Sequence, residues 1–254
     1  MPELATSGIT GRIAMLIDGD NAQPSLIGEM IAEAGKYGLV TIRRIYGDWT
    51  TTNMNGWKDT LNIYAVQPIQ QFQYSTGKNS TDSALIIDAM DILYDGVVSG
   101  FCLASSDSDY TRLATRIREK GFFVMGIGKR STPKAFVNAC EVFVYAENLR
   151  AEANTLQPKQ TTRKTDAAKA SQPDPLPLLI NALEKSLQDD GWAFLGTVGN
   201  RLRQLDPGFD ARTYGFTQLS QLIRSYSDNF EISQTKRKDG PSVIQIRPRN
   251  KLIQ

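Results

Sequence analysis

The stretch GFCLASSDSDY, residues 100–110, runs an apolar segment directly into two carboxylates, Asp107 and Asp109. A second stretch, MLIDGDN at residues 15–21, ends an earlier apolar run on Asp18 in the same way. Short apolar runs are typical of the buried strands of a parallel sheet. The sequence therefore predicts two buried strands that both end at an acidic edge of one sheet.

Strand-like and helix-like patterns alternate through residues 10–149. Apolar runs predict strands, and the segments between them have the spacing of amphipathic helices, including a helix over 81–96 with Gly96 as its stop. This alternation predicts an α/β fold with a mostly parallel, doubly wound sheet. The predicted strands are 12–18, 39–47, 61–69, where Pro68 marks the end, 100–105, 122–128 and 141–146.

The character of the chain changes near residue 150. Residues 150–175 are polar, with scattered basic residues and prolines and no periodicity, which predicts a flexible linker. Residues 176–250 show three helical patterns followed by two alternating strands, FEIS and SVIQIR. That order predicts a small α+β winged-helix domain.

The composition excludes several kinds of active site. The 254 residues include no histidine, which rules out Ser-His-Asp and Cys-His catalysis and any zinc site that needs imidazole. Cys102 and Cys140 are too few for a thiolate zinc site, and their apolar neighbours predict buried thiols of a cytoplasmic protein. No apolar run approaches the ~20 residues of a membrane helix. Chemistry must therefore use carboxylates, lysines, hydroxyls or a metal held by oxygen.

Acidic residues follow the strands in a way that predicts a metal site. With the strand order 3-2-1-4-5, the first and fourth strands are neighbours at the point where ligands gather in such sheets. Asp82, which opens a helix after the third strand, reaches the same edge as Asp18, Asp107 and Asp109, and their repulsion raises each pKa. Mg²⁺ or Mn²⁺ relieves that repulsion. The alternative is local capping chemistry, with Ser106 and Asp109 as the two members of a capping box.

Four neighbouring residues are expected to support the site or contact the substrate. Asn21 could bind a phosphate, a base or a water, and Ser105 is the last residue of the predicted fourth strand, two residues before Asp107. Lys78 in TGKNS could meet a phosphate, or be a solvated loop lysine. Asp88 lies about 240° round the helix from Asp82, which favours solvation or an internal ion pair.

Four motifs, taken together, resemble the NYN domain, a branch of the PIN-like nucleases also called LabA-like. They are MLIDGDN, GKNSTDSALIIDAM, SSDSDYTRLA and VMGIGKRSTPKAF, and the resemblance covers about residues 10–149. It implies a Rossmann-like αβα sandwich and a ribonuclease that depends on Mg²⁺ or Mn²⁺. Asp20 stands where the family often has another polar residue, which implies a supporting position, and Asp88 also matches a family position. The family's metal-binding acids match Asp18, Asp82, Asp107 and Asp109.

The stretch DDGWAFLGTVGNRLRQLDPGFDARTYGFTQLSQLI, residues 189–223, resembles the OST-HTH domain, also called LOTUS. That resemblance implies a winged helix that binds RNA or, in some eukaryotic members, a helicase partner. A local basic edge agrees with it, although a charged wing is equally typical of a solvated hairpin. The predicted RNA-binding residues are Lys236, Arg237 and Lys238 at the wing tip and Arg201 and Arg203 near the second helix.

Together these patterns predict a metal-dependent ribonuclease with a C-terminal RNA-binding module, acting on single-stranded or structured RNA. A homodimer is left open. One alternative is an RNA-binding regulator whose acidic site is weak or silent. A phosphatase of the haloacid dehalogenase kind, with Asp18 as nucleophile, is disfavoured because MLIDGDN lacks the threonine that such enzymes have next.

Overall fold

The computed structural model describes residues 11–72, 80–155, 173–235 and 243–249. The chain divides into two compact units, Met1–Gln157 and Pro158–Gln254, and each is considered by itself. Four residues predicted to contact RNA lie outside the described residues: Lys78, Lys236, Arg237 and Lys238. No helix within the described ranges is long and apolar enough to span a bilayer.

A six-stranded sheet with the order β3-β2-β1-β4-β5-β6 forms the centre of the first unit. Every neighbouring pair is parallel, which confirms the predicted α/β fold and the predicted order of the first five strands. The strands are β1 Arg12–Asp18, β2 Leu39–Gly47, β3 Gln67–Gln70, β4 Gly100–Ala104, β5 Phe123–Gly128 and β6 Val142–Tyr145. The helices are α1 Ile27–Ala34, α2 Lys58–Ile63, α3 Ser80–Asp95, α4 Thr111–Glu119, α5 Lys134–Ala139 and α6 Ala146–Thr155.

The central strand β1 is buried on both faces of the sheet. Met15 and Ile17 join the apolar cluster on one face, while Ala14 and Leu16 join the cluster on the other. Successive side chains of a strand point to opposite faces, so a strand covered on both sides reads as a continuous apolar run. The first charged residue after that run, Asp18, therefore lies at the end of the strand.

The third strand differs from the predicted range 61–69. Lys58–Ile63 forms α2, and only Gln67–Gln70 pairs with β2. Pro68 lies inside β3 rather than at its end, which is tolerated because β3 is an edge strand and needs no donor on its outer side. A short apolar run does not distinguish strand from helix, which is why LNIYAV was misread.

The ends of two helices can be compared with the boundaries that the sequence predicts. Helix α3 stops at Asp95, and Gly96 follows with a φ of 62°, as the predicted glycine stop requires. Helix α6 continues to Thr155, five residues beyond the predicted start of the linker at 150. Both cysteines are free and buried, as their apolar surroundings predicted.

The second unit packs three helices against a small antiparallel sheet with the order β7-β9-β8. Its core includes Leu179, Leu183, Val198, Leu202 and Leu222, which come from the three predicted helices. Leu187, expected on the same face as Leu179 and Leu183, is instead 37% exposed, because α7 ends at Glu184. The two-residue strand β7 was not predicted. The elements are α7 Leu176–Glu184, β7 Ala193–Phe194, α8 Leu195–Leu205, α9 Leu219–Ser225, β8 Phe230–Thr235 and β9 Val243–Pro248.

Candidate functional site

Asp18, the last residue of β1, is a buried carboxylate with three hydrogen-bond donors. Its Oδ2 accepts from Nδ2 of Asn21 at 2.7 Å and from Oγ of Ser105 at 2.8 Å. Its Oδ1 accepts from the backbone N of Asp20 at 3.1 Å. Burial raises the pKa of Asp18, and the bonds from Ser105 and Asn21 oppose that rise. Asp18 therefore ties the end of β1 to the end of β4, where Ser105 lies.

The segment after β4 is held by a short chain of hydrogen bonds. Oγ of Ser105 accepts from the backbone N of Asp107 at 3.1 Å, and Oδ1 of Asp107 accepts from the backbone N of Asp109 at 2.9 Å. Asp107 is thus the cap of the single 3-10 turn that follows. The capping box with Ser106 is wrong, because Oγ of Ser106 instead accepts from the backbone N of Lys129 at 2.9 Å.

Asp82, Asp107 and Asp109 form what we call the acidic cluster. Each offers one carboxylate oxygen, and these oxygens all lie within 4.8 Å of one another. The buried Tyr110 donates its hydroxyl to Oδ1 of Asp82 at 2.7 Å. Burial raises the pKa of Asp82, the bond from Tyr110 lowers it, and the charges of Asp18 and the other two acids raise it further. Three like charges therefore lie close together at this edge of the sheet.

Asp18 and Asp20 lie beside the acidic cluster and outside its three-carboxylate group. Asp18 is 1% exposed and acts on Asp82 through its charge. Asp20 is exposed at the surface, and its pKa is raised by partial burial and by the charges of Asp82 and Asp48. The predicted supporting position of Asp20 agrees with this placement.

Asp48 is a neighbour of the site that sequence reasoning missed. It follows β2, is 7% exposed, and its Oδ1 accepts from Oγ1 of Thr50 at 2.6 Å and from Nε2 of Gln70 at 3.0 Å. The signal that pointed to Asp18, an acid directly after a buried strand, is also present in IYGD. Tyr110, the donor to Asp82, was missed as well, since a buried tyrosine after an acidic pair reads as core.

Asp88 faces a different set of partners from those of Asp82. Its carboxylate accepts hydrogen bonds from the guanidinium of Arg44 and from the hydroxyl of Tyr46, both on β2. This is the internal ion pair that its position on the helix favours. Asp88 therefore joins α3 to β2 and fixes the helix that carries Asp82.

Gly19, between the two acids of the first motif, lies in close contact with neighbouring elements. A Cβ at this position would be 2.5 Å from Cε of Met54 and 2.8 Å from the backbone O of Tyr46. The carbonyl of Gly19 also accepts from Nε1 of the buried Trp57 at 3.2 Å. Only a residue without a side chain fits there, and the contacts hold the turn that presents Asp18 and Asp20.

In the second unit, α8 carries the two predicted RNA-binding arginines that the structure describes. Arg203 is exposed, and Arg201 is half-buried and donates to Oε1 of Gln204 at 2.8 Å. On β9, the guanidinium of Arg247 lies 4.6 Å from the ring centre of Trp192. The described part of this unit therefore has positive side chains at its surface.

Comparisons with known proteins agree with this division of the chain. Residues 12–149 match the family model of the NYN domain, and residues 171–241 match that of the OST-HTH/LOTUS domain. No curated protein matches the sequence.

Two solved structures are similar in part. One is the crystal structure of a protein of unknown function, VPA0982, from Vibrio parahaemolyticus RIMD 2210633, with 20% identity, a TM-score of 0.47 and coverage of 56% of this chain and 96% of that chain. The other is the solution NMR structure of an uncharacterized protein from gene locus NE0665 of Nitrosomonas europaea, with 32% identity, a TM-score of 0.28 and coverage of 37% and 92%.

Proposed function

Since the chain belongs to the NYN family of PIN-like nucleases and carries an OST-HTH/LOTUS domain after it, we propose that it hydrolyses RNA phosphodiester bonds with Mg²⁺ or Mn²⁺ held at the acidic cluster. The observation that carries the proposal is the convergence of three carboxylate oxygens within 4.8 Å. They come from α3 and from the segment after β4, at the edge of the sheet where the strand order reverses.

The donor set fits a hard divalent cation. Asp82, Asp107 and Asp109 offer carboxylate oxygens, the ligands that Mg²⁺ and Mn²⁺ prefer. A cation of either kind supplies acidification of water and stabilisation of the charge that develops on the phosphate and the leaving oxygen. It would also offset the repulsion that raises the pKa of Asp82.

The surrounding residues have distinct roles in this proposal. Tyr110 orients Asp82 through its hydrogen bond to Oδ1. Asp18, held by Ser105 and Asn21, adds fixed negative charge from the buried side. The chain has no histidine, so either the cation would generate the nucleophile or a carboxylate would accept the proton of the attacking water. Asp20 suits that role because it is exposed, and because partial burial and the charges of Asp82 and Asp48 raise its pKa.

The second domain would bind the RNA and present it to the first. Arg201 and Arg203, with Lys236, Arg237 and Lys238 at the predicted wing tip, are the basic residues that we assign to this contact. Tethering two binding units by a linker increases apparent affinity by up to ~10²–10⁴ when both can bind at once. We propose domain limits of 10–149 and 176–250, with the linker between them shortened at its start by α6.

An RNA cleavage assay with Mg²⁺ or Mn²⁺ tests the proposal. Asp107→Asn is expected to lower the cleavage rate at least a hundredfold. The matched control Asp91→Asn, an exposed acid on α3 outside the acidic cluster, is expected to leave the rate unchanged. Cleavage that persists in EDTA, or that survives undiminished in Asp107→Asn, would refute the proposed site. RNA binding in EDTA without cleavage at any metal concentration would instead support the silent regulator.

A further inference from the structure

A shallow crevice adjoins Asp18 at the carboxyl end of β5. Its lining includes Asn21, Gln23, Met30, Ser106, Ile127 and Lys129. The enclosed volume is about 10 Å³, which is room for roughly one water molecule. A base therefore does not fit inside, whereas a chain can lie across the opening.

The crevice shares residues with the candidate site. Asn21 and Ser105 both line it, and both donate to Oδ2 of Asp18. Met30 and Ile127 are 2% exposed and form an apolar floor. The crevice is therefore one side chain away from Asp18 and has both polar and apolar walls.

Lys129 gives the rim of the crevice a positive charge. It is the first residue after β5 and is exposed, and Ser106 fixes its backbone. Within the described residues its ammonium has no carboxylate partner. The neighbouring guanidinium groups already have hydrogen-bond partners, since that of Arg130 donates to Oδ1 of Asn148 at 3.3 Å and that of Arg150 donates to Oε1 of Gln23.

We propose that Lys129 and the crevice bind the sugar–phosphate backbone of the nucleotide next to the bond that is cleaved, and this rests on the proposed function. RNA is a polyanion, and the acidic cluster repels every phosphate that a cation does not neutralise. An exposed ammonium beside the site attracts the adjacent phosphate, while the apolar floor accepts the carbon face of a ribose. RNA would accordingly leave the site over the ends of β4 and β5.

The test measures binding of a fluorescent single-stranded RNA to the full chain in EDTA, where hydrolysis plays no part, at several salt concentrations. We expect Lys129→Gln to weaken binding and to reduce the slope of log K against log salt by about 0.7, the loss of one single-strand phosphate contact. Lys129→Glu should weaken binding further. The matched controls are Lys120→Gln and Lys120→Glu, because Lys120 is exposed just before β5, at the opposite edge of the sheet. Binding and slope that are the same in Lys129→Gln as in wild type overturn the inference.

A second variant tests the crevice without a change of charge. Ala22 lines it and is half-buried, so the three carbon atoms that Ala22→Leu adds would block it. We expect the KM for RNA cleavage to rise at least fivefold with little change in kcat, and an unchanged KM would count against the crevice.

If Asp107→Asn cleaves as well as wild type, the proposed function fails while the salt slopes still decide the role of Lys129. If Asp107→Asn is inactive and the slopes do not change, only the inference about Lys129 fails.

Discussion

Replacing Asp82 with asparagine is expected to stabilise the protein when no metal is present. The change removes one of three like charges whose oxygens lie within 4.8 Å of one another, and it keeps an oxygen that can accept the bond from Tyr110. Burial and neighbouring charges raise the pKa of Asp82, so its ionisation at neutral pH costs folding free energy.

The size of the effect follows from Coulomb's law. Two unit charges 4.8 Å apart repel by ~0.9 kcal/mol in water and ~3.5 kcal/mol at an effective dielectric constant of 20. Asp109 is exposed and Asp107 is half-buried, so solvent and salt keep both interactions near the lower value. Two such interactions sum to ~1.8 kcal/mol, and both salt screening and the weaker hydrogen bond that an amide accepts from Tyr110 lower this total. We therefore expect a gain of about 1 kcal/mol in the free energy of unfolding, or a rise of about 3 °C in melting temperature.

A bound cation should reverse the order of the melting temperatures of wild type and Asp82→Asn. A site at a hundred times its Kd gains ~2.7 kcal/mol, and the variant, with one carboxylate fewer, gains less. Wild type should melt below Asp82→Asn in EDTA and above it in Mn²⁺, as measured by calorimetry on the transition of the first unit. The control Asp91→Asn makes the same charge change on the exposed face of α3 and should show no such reversal.

The pH dependence has a definite sign. Because the folded pKa of Asp82 is raised, the folded state holds this proton at a pH where the unfolded state has released it. The metal-free stability of wild type should therefore rise as pH falls from neutrality through this raised pKa toward the ordinary value of 3.8, and its difference from Asp82→Asn should shrink. A lower melting temperature for the variant in EDTA, or a difference that does not change with pH, would refute this reasoning.

Three further predictions concern other contacts. Tyr110→Phe removes the donor to Asp82 and should weaken Mn²⁺ binding about tenfold in titration calorimetry, as is typical of residues that orient a ligand; unchanged affinity would contradict its role. Asp88→Leu leaves the buried hydroxyl of Tyr46 without its acceptor and should lower the free energy of unfolding by about 2–3 kcal/mol in urea, whereas a loss under ~0.5 kcal/mol would show that the ion pair contributes little. Gly215→Ala should cost the second unit about 1 kcal/mol, since this residue has a φ of 86°, and an unchanged melting transition would argue against that strain.

The sheet could be predicted where its strands are covered on both faces. Burial of β1 and β4 on each side makes them continuous apolar runs, so their ranges could be read closely. The edge strand β3 has four residues, three of them exposed, and contains a proline, so no apolar pattern marks it. Its position depends on pairing with β2, which local sequence does not encode.

The part of the candidate site that could be predicted is the set of acids that directly follow apolar strands. Asp18 and Asp107 follow apolar runs, and parallel strands bring such ends to one edge. The hydroxyl of Tyr110 could not be assigned to Asp82, because 28 residues separate them and only the packing of α3 decides the contact. Similarly, more than one residue of the motif SSDSDY could cap the turn that follows it. Asp107 is the cap because the 3-10 turn begins at the next residue, Ser108.

The parallel pairing of β1 with β4 also has a kinetic consequence. Asp18 and Ser105 are 87 residues apart in the chain, and they meet only when both strands and the connections between them are in place. Contacts of such long sequence separation make folding slow. A cation that needs all three members of the acidic cluster would therefore bind after the main barrier has been crossed. It would slow unfolding and lengthen the lifetime of the folded domain, with little effect on how fast the domain forms.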